Sequence, residues 1–185
     1  IPCVAEAASD ARYMSDMLRK MLKAPCFLDS SELSDLRNLI TDGVHKSDTM
    51  VLLATKQVLS RPWCLLELLE TARKNIPVVI VTLAHGGFTY EGGRRFANGI
   101  EYFMKEFNPL GLDFLHERIG QDLSEVKRAI LRALDANEAK NLIFDSHKGD
   151  NAMVATMKDV VEEMAAARGR TITWDHADAS EGRPT

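Results

Sequence analysis

Two apolar runs constrain this chain more than any other feature: Thr49-Met50-Val51-Leu52-Leu53-Ala54-Thr55 and Ile76-Pro77-Val78-Val79-Ile80-Val81-Thr82-Leu83. A strand with one face in water alternates apolar and polar residues, whereas an unbroken apolar run suits a strand covered on both faces. Between the runs, Leu65, Leu68, Leu69 and Ala72 recur at the spacing of an amphipathic helix. Buried strand, helix, buried strand implies parallel pairing, because parallel strands need a long crossover to return the chain to the same end of the sheet.

The flanking sequence continues the alternation. Tyr13, Met14, Met17, Leu18, Met21 and Leu22 predict a helix behind Ser9-Asp10 as its cap. Cys26-Phe27-Leu28 reads as a short strand ending at Asp29, and Leu33, Leu36, Leu39, Ile40 and Val44 as a second helix. Gly86-Gly87 and Gly92-Gly93 bracket a stretch that reads as a flexible loop. Residues 96–107 are expected to be helical, and residues 123–134 form a clear amphipathic helix. The expected class is α/β, a flavodoxin-like parallel sheet with helices on both faces.

Beyond residue 134 the pattern starts again. Leu142-Ile143-Phe144 predicts a strand leading into Asp145-Ser146-His147-Lys148-Gly149-Asp150. Met153, Val154, Met157, Val160, Val161 and Met164 predict a helix, and Thr171-Ile172-Thr173-Trp174 a strand ending at Asp175. The same strand–helix–strand–Asp order is expected of residues 1–29, so a domain over 1–137 is followed by a βαβ half repeat over 138–185. Residues 177–185 read as a mobile polar tail, and a repeat that stops half-way is expected to be part of something larger.

Composition removes several function classes. The chain has 185 residues, 45% of them hydrophobic, and a net charge of −4 with no Lys/Arg-rich run, so no nucleic-acid partner is expected. The longest apolar run, 76–83, is too short to span a bilayer, and no signal-peptide pattern opens the chain, so no membrane partner is expected. The scattered Cys3, Cys26 and Cys64 fit reduced, mostly buried thiols in a cytoplasmic protein. His45, His85, His116, His147 and His176 are far apart in sequence and show no metal-binding spacing, so no metal is expected. No G-x-G-x-x-G follows a strand and no P-loop is present, which disfavours dinucleotide dehydrogenases and P-loop enzymes.

In parallel sheets ligands bind outside the carboxyl ends of the strands. Asp29 and Ser30 follow one predicted strand, and residues 55–63 follow another. The second segment leads into Ser60-Arg61-Pro62-Trp63-Cys64-Leu65-Leu66-Glu67-Leu68, with Ser60 placed as N-cap and Pro62 in the first turn. Trp63, Glu67, Glu70 and Lys74 fall opposite the leucine stripe, so Trp63 is expected to pack on something other than the core. Two plainer readings stand beside this: a tryptophan covering a loop, and Glu67 as a solvated charge in a Glu/Lys row. Cys64 leans towards the core, the methionines read as core filling, and His147 and Lys148 face either phosphate or solvent.

With these residues in view, the chain resembles a TIR (Toll/interleukin-1 receptor) domain. The likeness is best from Phe27 to Leu83, through Asp29, Ser47-Asp48, Val51-Leu52-Leu53 and above all the S-R-P-W-C-L-L-E-L segment. For the enzymatic branch of that family, the resemblance implies cleavage of NAD⁺, as substrate and without a cofactor, at the nicotinamide–ribose bond. Glu67 matches the catalytic glutamate, Trp63 the aromatic residue near nicotinamide, and Asp29, with Ser30 beside it, an acidic residue that shapes the pocket. Where family members carry a Ser-Tyr-Arg-like segment, this chain has Glu6-Ala7-Ala8-Ser9-Asp10, leaving Arg12 as the cation for the pyrophosphate. The resemblance also implies activity on self-association through TIR–TIR contacts, in cell-death or immune-type signalling. A non-catalytic TIR adaptor is the alternative, and a deoxyribosyltransferase-like enzyme of similar architecture a third reading.

Overall fold

The two apolar runs become parallel strands, β1 (Met50–Ala54) and β2 (Val78–Leu83), in register from Met50 opposite Val78 to Ala54 opposite Thr82. The computed structural model describes residues 2–26, 43–172 and 174, with side chains from residue 7 onward. A third parallel strand, β3 (Ile143–Phe144), pairs with the far end of β2, Thr82 opposite Ile143 and Leu83 opposite Phe144. The sheet order is β1-β2-β3.

Seven α-helices accompany the sheet among the described residues: α1 (Pro2–Leu22), α2 (Pro62–Lys74), α3 (Tyr90–Asn98), α4 (Ile100–Phe107), α5 (Pro109–Ile119), α6 (Ser124–Asn137) and α7 (Asp150–Ala166). They divide between the two faces as the strand alternation dictates. Leu52, Ala54 and Ile80 point into a core shared with α2 to α6. Val79, Val81, Leu83 and Phe144 point the other way, into a core with Met14, Leu18 and Met21 of α1 and Met157, Val160 and Val161 of α7. The expectation of an α/β parallel sheet with helices on both faces is met, and the methionines of α1 and α7 fill the core as expected.

Local chemistry sets the element ends. Helix α2 stops at Asn75, whose left-handed backbone (φ 53°) lets the Ile76 N–H reach back to the Thr71 carbonyl at 2.8 Å, a Schellman closure that aims the chain into β2. Helix α3 opens at Tyr90 with Thr89 as cap, the Thr89 hydroxyl accepting from the Gly92 N–H at 3.0 Å. The loop expected over 85–93 therefore ends early. Gly93 is buried where an added Cβ would stand 3.1 Å from Leu134, so its glycine serves close helix packing. Residues 96–107 are helical but broken at Gly99, a weak helix former that caps one helix and begins the next.

Several expectations at the termini are corrected. Residues 2–22 form one helix, so the segment expected to open as a strand is helical, and Ser9-Asp10 lies inside that helix instead of capping it. The reason is visible in Val4-Ala5-Glu6-Ala7-Ala8, an alanine-rich stretch that extends the helical period towards the N-terminus. The strand at 26–29 and most of the helix at 33–44 lie outside the described residues. The C-terminal half repeat is not seen: β3 joins the sheet of β1 and β2, and α7 packs beside α1 on the same face. Of the strand expected over 171–174, Thr171 and Ile172 are not in a strand, Thr173 lies outside the described residues and Trp174 makes an isolated β-bridge, its indole N–H donating to Glu162 of α7 at 2.6 Å.

Because β3 is only two residues long, the first half of β2 lacks a strand on that edge. Fully buried Asn137 of α6 takes the place of one: its Oδ1 accepts from the Ile80 N–H at 3.0 Å and its Nδ2 donates to the Val78 carbonyl at 2.8 Å. Asn137→Ala strips both backbone groups of their partner in a dry interior and is expected to cost about 3 kcal/mol. Urea unfolding checks this as a lower midpoint with an unchanged m-value.

Candidate functional site

Leaving β1, the chain turns through a 3₁₀ segment (Val58–Ser60) before α2 begins with Pro62 in its first turn. Ser60 does not cap α2. Its hydroxyl donates to the Gln57 carbonyl at 2.9 Å, so it is already used in closing the 3₁₀ turn, and Arg61 holds the N-cap position with no side-chain cap. Asn108 fixes this corner. Its Oδ1 caps α5 by accepting from the Gly111 N–H at 2.9 Å, and its Nδ2 donates to the Ser60 carbonyl at 3.0 Å. Helix α5 was not anticipated, although Asn108-Pro109, a cap residue followed by proline at the first helical position, carries its signal.

Trp63 is half-buried, and its ring packs on Phe114 of α5 with centroids 4.7 Å apart and planes 49° apart. The Arg118 guanidinium lies 5.3 Å from the Phe114 ring centre. Contrary to the expectation of a ring turned from the core, Trp63 sits against the margin of the core formed by α2 to α6. Glu67, one turn on, is 9% exposed and is the only charged side chain among the buried described residues. The expected solvated face of α2 is thus narrower than its leucine stripe suggests, because α5 and α6 both pack on this helix. Cys64 is buried, as expected.

Glu70 does lie on the outer side. It meets His45 Nε2 at 3.1 Å and Arg73 Nη1 at 3.0 Å, and Arg73 continues to Glu125 of α6 at 2.6 Å. Burial alone raises the Glu70 carboxyl, yet the hydrogen bonds from His45 and Arg73 hold it below the ordinary glutamate range.

Ser9, Asp10 and Arg12 are on α1, across the sheet from Trp63 and Glu67. The Tyr13 ring lies 5.8 Å from that of Phe144, the last residue of β3. Ser9, Asp10 and Arg12 therefore stand within about one helical turn of the residue that packs on the end of β3, on the opposite face from α2. Asp29 and Ser30 lie outside the described residues. A cavity of about 860 Å³ occupies the α1–α7 face, with Met14, Leu18, Val51, Leu53 and Met164 in its wall, and it includes neither Trp63 nor Glu67.

Two loops meet at the carboxyl end of the sheet. The Lys56 N–H donates to the Gly86 carbonyl at 2.6 Å, and an added Cβ on Gly86 would stand 3.2 Å from the Ala54 carbonyl oxygen, so the segments after β1 and β2 are held in close contact. His85 and His147, 62 positions apart, have ring centroids 4.5 Å apart with Asp145 beside both. Sequence spacing gave no sign of this meeting, because the register of β2 with β3 creates it. Among the described residues no helix is long and apolar enough to cross a membrane.

Because the folded-state pKa of Glu70 is lowered, the stability it contributes is present above about pH 4.3 and is lost as pH falls through the lowered value. Glu70→Gln is therefore expected to be less stable than the parent chain at about pH 7, by about 1 kcal/mol or less for a partly exposed pair. The gap should narrow as pH falls below about 4.3 and through the lowered value, which urea midpoints across an acid pH series measure.

No protein-family model matches the chain, and comparison with curated proteins finds no match.

Proposed function

We propose that the chain is a TIR-type, flavodoxin-like NAD⁺ hydrolase or cyclase, with Glu67 as its catalytic carboxylate and Trp63 as the aromatic contact for nicotinamide. One observation carries the reading: Glu67 alone among charged side chains of the described residues is buried, in a leucine-rich helix that begins at the carboxyl end of β1. A carboxylate there carries a desolvation cost of several kcal/mol that its surroundings must offset, which makes it a conspicuous group in such a helix. The proposed chemistry gives it a use. Breaking the C1′–N bond sends the bonding pair to the nicotinamide nitrogen and leaves an oxocarbenium-like ribose. A carboxylate screened from water stabilises that charge better than an exposed one. Water then adds at C1′ and loses a proton, giving ADP-ribose; attack by a group of the adenosine moiety instead gives a cyclic product. Ser9, Asp10 and Arg12 of α1, with Asp29 and Ser30, are the further proposed substrate contacts, and self-association brings copies together for activity.

Nicotinamide release from NAD⁺ by concentrated protein tests this. The parent chain is expected to release nicotinamide, Glu67→Gln to lose at least about a hundredfold in rate, and Trp63→Ala to raise KM about 2- to 30-fold through loss of a cation–π contact. A full rate in Glu67→Gln would remove the assignment.

The adaptor reading has its own support. The Trp63 ring is already engaged by Phe114, and Tyr102, Phe107 and Leu110 stand 67, 62 and 80% exposed on α4 and α5, an apolar face suited to contacts between copies. It predicts no nicotinamide release from either form, together with self-association that Phe107→Asp abolishes in light scattering.

A further inference from the structure

We propose that His85, Asp145 and His147 form a binding site for a divalent transition-metal cation of the zinc class. The three ligand atoms lie within 4.8 Å of one another. His85 Nε2 stands 3.5 Å and His147 Nδ1 3.6 Å from the same oxygen, Asp145 Oδ1. Those separations exceed an ordinary N–H···O hydrogen bond, whose range ends near about 3.2 Å. They match a different geometry. Metal–ligand bonds of about 2.0–2.2 Å at tetrahedral angles set neighbouring ligand atoms about 3.3 Å apart. The two nitrogen–oxygen edges fit this spacing and the nitrogen–nitrogen edge is within 4.8 Å, so rotation of the exposed imidazoles brings all three atoms to corners of a site whose remaining positions face solvent.

The backbone holds the three residues in this arrangement. Leu83 and Phe144 are paired in register, so Asp145, one residue on, and His85, two residues on, leave adjacent strands within one residue of the same height. The Ala84 N–H donates to the Phe144 carbonyl at 2.9 Å, extending the ladder to the residue before His85. Beyond it, the Gly86 N–H returns to the Leu83 carbonyl at 2.9 Å, and Lys56 anchors the Gly86 carbonyl. On the other loop, Asp145 Oδ1 accepts from the His147 backbone N–H at 3.1 Å, and Lys148 N–H donates to the Asp145 carbonyl at 3.2 Å. Asp145, with its side chain only 19% exposed, is the fixed ligand, and the two imidazoles, 66 and 75% exposed, swing to complete the set. The ligand types choose the ion: imidazole favours zinc, nickel or copper, whereas magnesium and calcium favour all-oxygen sites. With solvent at the remaining positions, the site resembles the open arrangement of three protein ligands plus water more than a closed structural one.

The site is independent of the hydrolase assignment: it uses none of the same side chains and its test needs no turnover. Zinc chloride is titrated calorimetrically into the full chain, beside His85→Ala, His147→Ala, Asp145→Asn and the double variant His85→Ala/His147→Ala. His45→Ala serves as a histidine control, magnesium chloride as an ion control, and circular dichroism verifies that each variant is folded. One zinc per chain is expected, weakened at least about tenfold by each single variant, lost in the double variant and unchanged in His45→Ala. No zinc binding by the parent chain at submillimolar metal, or equal zinc affinity in the double variant, overturns the proposal. Magnesium binding of equal strength would show an unselective surface charge and overturn it as well.

Discussion

The structure depends on β2 being dry on both faces and hydrogen-bonded on both edges. Val79 and Val81 are wholly buried on one side and Ile80 nearly so on the other, so no water reaches the backbone polar groups between them. One edge is paired with β1 from Val78 to Thr82. The other edge is divided: β3 pairs with the carboxyl half, and a single amide side chain, Asn137, serves the amino half. A third bond, from Asn137 Nδ2 to the Ala133 carbonyl at 2.8 Å, ties that amide to its own helix. Helix α6 is thus fixed to the sheet at a defined height, and through it α2 and α3, which pack along it.

That height determines what stands at the carboxyl rim. The first turn of α2 is held by the Asn108 contact to Ser60, the loop after β2 by Lys56, and the loop after β3 by the short β2–β3 ladder. Each ends a strand at nearly the same level, so side chains far apart in sequence converge there. The sheet also partitions them. Trp63 and Glu67 belong to the α2–α6 face, while Ser9, Asp10 and Arg12 rise from the α1 face. A dinucleotide touching both groups would have to cross the strand ends, the position where parallel sheets expose oriented backbone groups and loop side chains.

The two apolar runs made the sheet legible, because a parallel strand covered on both faces leaves an unbroken pattern that few other structures produce. Helices α2, α6 and α7 were legible from their periodicity, and the burial of Cys64 from its place beside the leucine stripe. What stayed hidden depends on neighbours. Nothing local in Ser60 distinguishes a helix cap from the end of a 3₁₀ turn. The burial of Glu67 follows from two helices closing on α2, which a one-dimensional stripe does not encode. The helix at 109–119 has a weak apolar stripe, so periodicity does not mark it, and only Asn108-Pro109 signals its start. Asn137 looked like an ordinary polar residue at a helix end; its importance comes from a strand too short to finish its own ladder.

The two rim features differ in what they cost the fold, and the difference bears on how each should be read. Glu67 is embedded in a leucine-rich interior, where a charged group is tolerated only if its surroundings compensate the lost hydration. Such a residue is hard to explain by chance, but it is also one that a structural network can demand. The His85–Asp145–His147 group carries two exposed imidazoles, which cost folding almost nothing. What distinguishes it is geometry: two nitrogens converge on one carboxylate oxygen at a separation too long for hydrogen bonds and close to the edge of a metal tetrahedron. Burial thus sets the carboxylate on α2 apart, and distance sets apart the cluster after β2 and β3.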